Sequence, residues 1–114
     1  MDKHKKFTPS IPSNIKMTEG QYEIEMALTG FKKTEISIAI EGDILMVEAR
    51  KEDHDKDDFI TKEFHFDRMN RNFHLNIDVN REKITSMFQD GMLKIYLPHN
   101  GGSEPEDKRR IEVT

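Results

Sequence analysis

Apolar and polar residues alternate with a period of two over most of the chain, and the alternation is cleanest from Ile84 to Pro98. Ile84 and Phe88 fall on one face of an extended segment with Ser86 between them. Asp90-Gly91 then marks a turn, because glycine takes a positive φ without a Cβ clash. Beyond it Leu93, Ile95 and Leu97 alternate with Met92, Lys94 and Tyr96, which gives a strand with one apolar face. Pro98 ends that strand, having no N–H to offer a ladder. The spacing predicts a β-hairpin whose apolar face requires cover from the rest of the chain.

The same period recurs on both sides. Ser13–Thr18 alternates weakly, with Ile15 and Met17 on one side, and Glu19-Gly20 turns the chain into Gln21–Leu28, where Tyr22, Ile24, Met26 and Leu28 share a face. A loop at Thr29–Thr34 precedes Glu35–Glu41, with Ile36, Ile38 and Ile40 on one side. Gly42-Asp43 leads to Ile44–Lys51, with Leu45, Val47 and Ala49 inward. Phe59–Phe64 reads as a short strand, and Met69–Ile77 as a longer one with Phe73, Leu75 and Ile77 inward. Eight short strands separated by turn signals predict an all-β, antiparallel β-sandwich. The expected organisation is a flexible arm at residues 1–12, one domain over 13–99, and an extension over 100–114. That extension runs through a Gly-, Pro- and charge-rich linker to Ile111 and Val113.

Composition narrows the chemistry. A chain of 114 residues fits one domain, and the absence of cysteine excludes a disulfide framework and thiolate chemistry. A net charge of −4 argues against a nucleic-acid surface. No apolar run is long enough for a leader or a membrane span, so a cytoplasmic location without membrane partners is expected. Asp53-x-Asp55-x-Asp57 opens like a calcium loop but has Asp58 and Phe64 where that loop needs Gly and Glu. His65 and His74 alone do not make a zinc site. There is no phosphate-cradling glycine motif, and no motif brings two carboxylates together, so neither an enzyme nor a cofactor is expected.

Four short motifs in order carry a resemblance. Leu28-Thr29-Gly30-Phe31-Lys32-Lys33, Met69-Asn70-Arg71-Asn72-Phe73-His74-Leu75, Asp90-Gly91-Met92-Leu93 and Ile111-Glu112-Val113 together resemble the small heat shock proteins, with residues 13–99 similar to their α-crystallin domain. Thr29, Met69, Asn76 and Met92 depart from the residues most common there, and the twelve-residue arm is short. The resemblance implies an immunoglobulin-like β-sandwich and an ATP-independent holdase that binds partly unfolded client proteins and assembles from dimers into a larger homo-oligomer. It implies that Ile111 and Val113 anchor on a neighbouring subunit, in a groove of Ile38, Ile40, Ile84 and Phe88. It places Phe59 and Ile60 of a long loop against the partner's Ser13–Thr18 strand, with Ile15, Met17 and Arg71 at that interface and Arg71 paired with acidic groups. Phe7 and Ile11 are the candidate client-binding residues of the arm. The alternative is a monomeric co-chaperone adaptor of the same sandwich shape, a class without the Ile-x-Val tail.

Overall fold

A computed structural model describes residues 8–18, 20–52, 67–99, 108–111 and 113–114. The described residues form eight strands: β1 (Ser13–Thr18), β2 (Gln21–Ala27), β3 (Ile36–Glu41), β4 (Ile44–Arg50), β5 (Arg68–His74), β6 (Thr85–Gln89), β7 (Met92–Pro98) and β8 (Lys108–Ile111). They form two four-stranded antiparallel sheets, ordered β1-β2-β7-β6 and β5-β4-β3-β8. The alternation read from the sequence becomes the packing. Ile24, Met26, Leu93, Ile95 and Leu97 of one sheet meet Ile36, Ile38, Ile40, Leu45, Val47 and Ala49 of the other in one buried cluster. The fold is the antiparallel sandwich that the period-two pattern demands, because a strand with one apolar face is stable only against another sheet.

The hairpin between β6 and β7 turns on two left-handed residues, Asp90 at φ 55° and Gly91 at φ 78°. Positive φ at both central positions matches the right-handed twist of the flanking strands. Gly91 is also needed for space. A Cβ there would lie 2.8 Å from the Thr29 hydroxyl, and the Gly91 carbonyl accepts a 2.8 Å hydrogen bond from the Leu28 amide. Two of the sequence motifs, around Leu28 and Asp90, are thus one contact in space.

Two expectations for β5 are corrected. The strand ends at His74 instead of Ile77, because the Leu75 amide leaves the ladder to donate to the Asp43 carbonyl at 2.7 Å. The chain then turns, with the Val79 amide bonded to the Asn76 carbonyl at 3.2 Å, and Ile77 stands 76% exposed instead of inward. The expected strand at Phe59–Phe64, and with it Phe59 and Ile60, lies outside the described residues, as does Phe7.

Candidate functional site

A sandwich of two four-stranded sheets has two open flanks where the edge strands face each other, and here each flank is crossed by a terminal segment. On the first flank, Pro9–Ile11 runs beside the outer edge of β5. The Ile11 amide donates to the Asn70 carbonyl and the Asn70 amide to the Pro9 carbonyl, each at 3.1 Å. Pro12 then accepts from the Ala27 amide of the other sheet at 3.0 Å. Ile11 drops between the sheets with no exposed surface. The expectation of Ile11 as an arm residue open to clients is therefore corrected. Its backbone is held by β5, which leaves its side chain only the core to enter.

Arg71 belongs to this flank. One guanidinium nitrogen donates to the Ile11 carbonyl at 3.3 Å, and the group lies 5.2 Å from the centre of the Phe73 ring. Among the described residues these are the contacts of Arg71. Beside them a cleft of about 210 Å³ opens between β1–β2 and the end of β5, lined by Ile15, Tyr22, Ile24, Phe73, Leu75 and Val79 among others. Ile15 and Met17 on β1 are 57% and 60% exposed, and the outer edge of β1 has no neighbouring strand among the described residues.

The second flank is closed by the C-terminal strand. β8 adds antiparallel to β3, with Ile111 opposite Ile38, Arg110 opposite Ala39, Arg109 opposite Ile40 and Lys108 opposite Glu41. The terminal carbonyl of Thr114 then accepts from the Phe88 amide of β6 at 2.9 Å. Ile111 is buried in the same cluster as Ile38, Ile40 and Ile84, with Val113 and Phe88 packed against it. The four groove residues named from the sequence thus lie in one cluster with the two anchor residues. The difference is the owner of the groove. The sequence reading seats the anchor on a neighbouring subunit, whereas the structure seats it on its own chain. The physical reason is reach: nine residue steps from His99 to Lys108 span up to roughly 30 Å. An open groove continues past the anchor, lined by Lys33, Thr34, Ile36, Ser37 and Ile38 together with Ile111 and Val113.

Polar contacts hold the described residues that follow β4 and precede β5. The Lys51 amide donates to the Asp67 carbonyl at 2.8 Å, which brings these two ends of the described chain to one point. The Glu35 carboxylate accepts from the Lys32 amide at 2.7 Å and the Glu52 amide at 3.0 Å. Lys51 donates to the Gly30 carbonyl and sits 5.4 Å from the centre of the Phe31 ring. Burial raises the Glu35 pKa, but the Glu52 and Lys32 amides and the Lys51 and Lys32 charges outweigh it, leaving the group below its usual 4.5. A depressed carboxylate stabilises the fold fully above its unfolded value, and that contribution is lost as pH falls through the folded value. Glu35→Gln is therefore expected to be less stable than the parent at neutral pH, with the difference shrinking as pH falls through the depressed Glu35 value. Denaturant midpoints across pH 3–7, about the carboxylate range, check this; a gap that does not shrink toward the acid end would count against it.

Sequence reasoning passed over Arg81, which sits in a polar stretch and carries no pattern. It is 1% exposed, with its guanidinium donating to the Val79 carbonyl and to the Asp43 carboxylate, each at 3.3 Å, so it ties the β3–β4 turn to the entry of β6. His99, at the end of β7, holds Asp78 at 2.6 Å. No group of three or more possible metal ligands occurs among the described residues, and none of their helices is long and apolar enough to cross a membrane.

Comparison with known proteins agrees with this geometry. The chain is 33% identical over 104 residues to a "Probable Hsp20 family chaperone" of Onion yellows phytoplasma, covering 89% of this chain and 75% of that protein. It is 38% identical over 87 residues to the small heat shock protein HspE of Bradyrhizobium diazoefficiens, covering 75% of this chain and 57% of that one. Among solved structures, HSP18.5 from E. histolytica superposes with a TM-score of 0.71 at 19% identity, over 87% of this chain and 96% of that one, a likeness of fold. Residues 14–114, the whole sandwich together with the C-terminal anchor, match the Hsp20/alpha crystallin family, and the chain belongs to that family.

Proposed function

We propose that this protein is an ATP-independent holdase of the cytoplasm, which binds partly unfolded proteins and keeps them from aggregating. The observation that carries the reading is the outer edge of β1, without a neighbouring strand among the described residues, with Ile15 and Met17 exposed beside an apolar cleft. An exposed edge is a template for strand addition, and apolar side chains beside it reward any unfolded segment that covers them. At roughly 25 cal/mol per Å² of apolar surface removed from water, such binding is adjustable and indifferent to sequence, as holding requires. The family match runs through the Ile-x-Val tail, a feature absent from adaptor domains of this shape, and this favours the chaperone over the adaptor.

The same edge suits a dimer. The Lys51–Asp67 hydrogen bond brings together the two ends of the described chain on either side of residues 53–66, and Phe59 and Ile60 are the central pair of those fourteen residues in sequence. Seven residues out reach roughly 23 Å, enough to meet a second copy. The partner's Phe59-Ile60 segment would then pair with β1 and cover Ile15 and Met17. Deleting Asp53–Ile60 is expected to give monomers by light scattering, and dimers that survive the deletion would exclude this pairing. The holdase reading is tested by heating a labile client with and without equimolar protein. Suppressed turbidity is the expected result, and turbidity equal to the client alone would refute it.

A further inference from the structure

The cleft beside β1 has a size, a lining and a rigidity that together describe what fills it. We infer that it takes one aromatic ring from an unfolded protein: an extended segment pairs with the outer edge of β1, and its side chain opposite Ile15 enters the cleft. The inference rests on the proposed holding at that edge and adds a preference to it. In strand addition the main chain gives affinity, and pockets for alternate side chains give selectivity.

Paired residues of neighbouring strands share a face. Ile15 lies opposite Ile24 and Met17 opposite Tyr22, and Ile24 belongs to the core, so all four lie on the inner face of their sheet. A strand added beyond β1 sets the two residues opposite Ile15 and Met17 on that same face, and Ile15 lines the cleft. The cleft volume of about 210 Å³ exceeds the roughly 150 Å³ in which an apolar cavity binds benzene, so one ring fits. Tyr22 and Phe73 are two of its walls, and rings pack on a further ring edge to face or offset, a contact an aliphatic chain does not make. Its other apolar walls, Ile24, Leu75, Val79 and Leu97, are buried, and no Lys, Arg, Asp or Glu lines it. The walls are also held before anything binds. The Tyr22 hydroxyl accepts from the Asn76 side chain at 3.4 Å, and the Tyr22 ring lies 5.5 Å from that of His99. The Leu75 amide donates to the Asp43 carbonyl, and the Val79 carbonyl accepts from Arg81. A pocket already formed loses little freedom on filling. The ring comes from another protein. The exposed large apolar side chains among the described residues are Ile15, Met17, Ile77 and Met87, so a second copy offers neither phenylalanine nor tyrosine there. An unfolded protein offers both, because the aromatic residues that dominate a core become accessible when it opens.

The probe is the blocked hexapeptide Thr-Ser-Phe-Thr-Val-Thr, compared with versions that carry leucine or serine in place of phenylalanine. Each is added to the full chain with its isoleucine, leucine and valine methyls labelled for NMR. Ring-current shifts are expected at Ile24, Leu75, Val79 and Leu97 with the phenylalanine peptide, which should bind roughly fivefold tighter than the leucine peptide. The serine peptide should shift none of them. Ile15→Asp, at an exposed position, should keep the core methyl spectrum and abolish the shifts. Phe73→Leu should bring the phenylalanine and leucine peptides to equal affinity; if that variant does not fold, Ile15→Asp supplies the comparison. Equal binding of the two peptides by the parent would overturn the inference, as would shifts confined to other methyls. So would ring-current shifts that the protein shows without peptide and loses on dilution, since these would assign the ring to a second copy. Holding is separable from this outcome. An Ile15→Asp variant that loses the peptide yet still keeps a heated client soluble would overturn the cleft as the client site and leave the holdase standing. A parent that gives the expected shifts but does not suppress client turbidity would refute the holdase and leave the preference for a ring standing.

Discussion

Replacing both Ile111 and Val113 with glycine should leave the protein as a dimer at every concentration. Ile111 is buried in the core cluster and Val113 packs against it, so the double change removes most of the apolar surface by which the tail is held. A fully buried aliphatic side chain contributes ~1.5–3 kcal/mol, and each new glycine adds ~0.5–1 kcal/mol of backbone entropy to be lost on docking. Val113 is only partly buried, so a combined loss of about 4 kcal/mol is reasonable, equal to roughly a thousandfold in tail occupancy. That empties the groove whether the tail belongs to the same chain or to another. Sedimentation velocity over a wide concentration range checks the outcome. Larger particles persisting in the double variant would mean that assembly runs through some other contact. Hydrogen exchange gives an independent signal, because the Phe88 amide loses its Thr114 acceptor and should exchange faster.

The second large effect is expected at Ile11. Ile11→Ala should lower the unfolding free energy by about 3 kcal/mol, within the range measured for emptying a buried aliphatic site. The residue has no exposed surface; its amide donates to the Asn70 carbonyl, and its carbonyl accepts from the Arg71 guanidinium and the Ser13 hydroxyl. With the Ile11 amide and carbonyl both engaged, the neighbourhood has little freedom to collapse into the cavity. Against a total stability of about 5–15 kcal/mol for a domain of this kind, the loss is substantial and should appear as a lower urea midpoint. A cost below about 1 kcal/mol would show that the segment is not packed as described. The consequence for experiment is direct. Removing residues 1–12 removes part of the core and the Asn70 pairing, so a loss of client holding in that truncation would report unfolding. Removing residues 1–7 leaves Pro9–Pro12 in place and isolates the contribution of Phe7.

The strand pattern was legible because side-chain alternation is a property of the strand itself. Ile36, Ile38 and Ile40 had to share a face, as did Leu93, Ile95 and Leu97, and turns at Gly42-Asp43 and Asp90-Gly91 fixed where the chain reverses. From these follow two sheets and an apolar interface between them. The tail was legible as two apolar residues at the right separation, and its groove could be named by resemblance.

What the alternation could not contain is which strands become edges and what covers them. Ile11, Ile15 and Ile77 are the same side chain in similar polar surroundings along the chain. Yet one is wholly buried and the others are 57% and 76% exposed. Ile11 is buried because β5 holds its backbone, Ile15 lies on the edge strand β1, which has no second neighbour among the described residues, and Ile77 lies in a turn. Arg81 looks like any surface arginine until Asp43 and the Val79 carbonyl, brought from separate segments, converge on it. The home of the tail was decided in the same way. Ile-x-Val specifies an apolar groove, but that the edges of β3 and β6 together form one, within reach of the chain's own end, appears only in the folded chain. Periodicity is local and was set by the sequence; edges, flanks and their covers exist only once strands distant along the chain have been laid side by side.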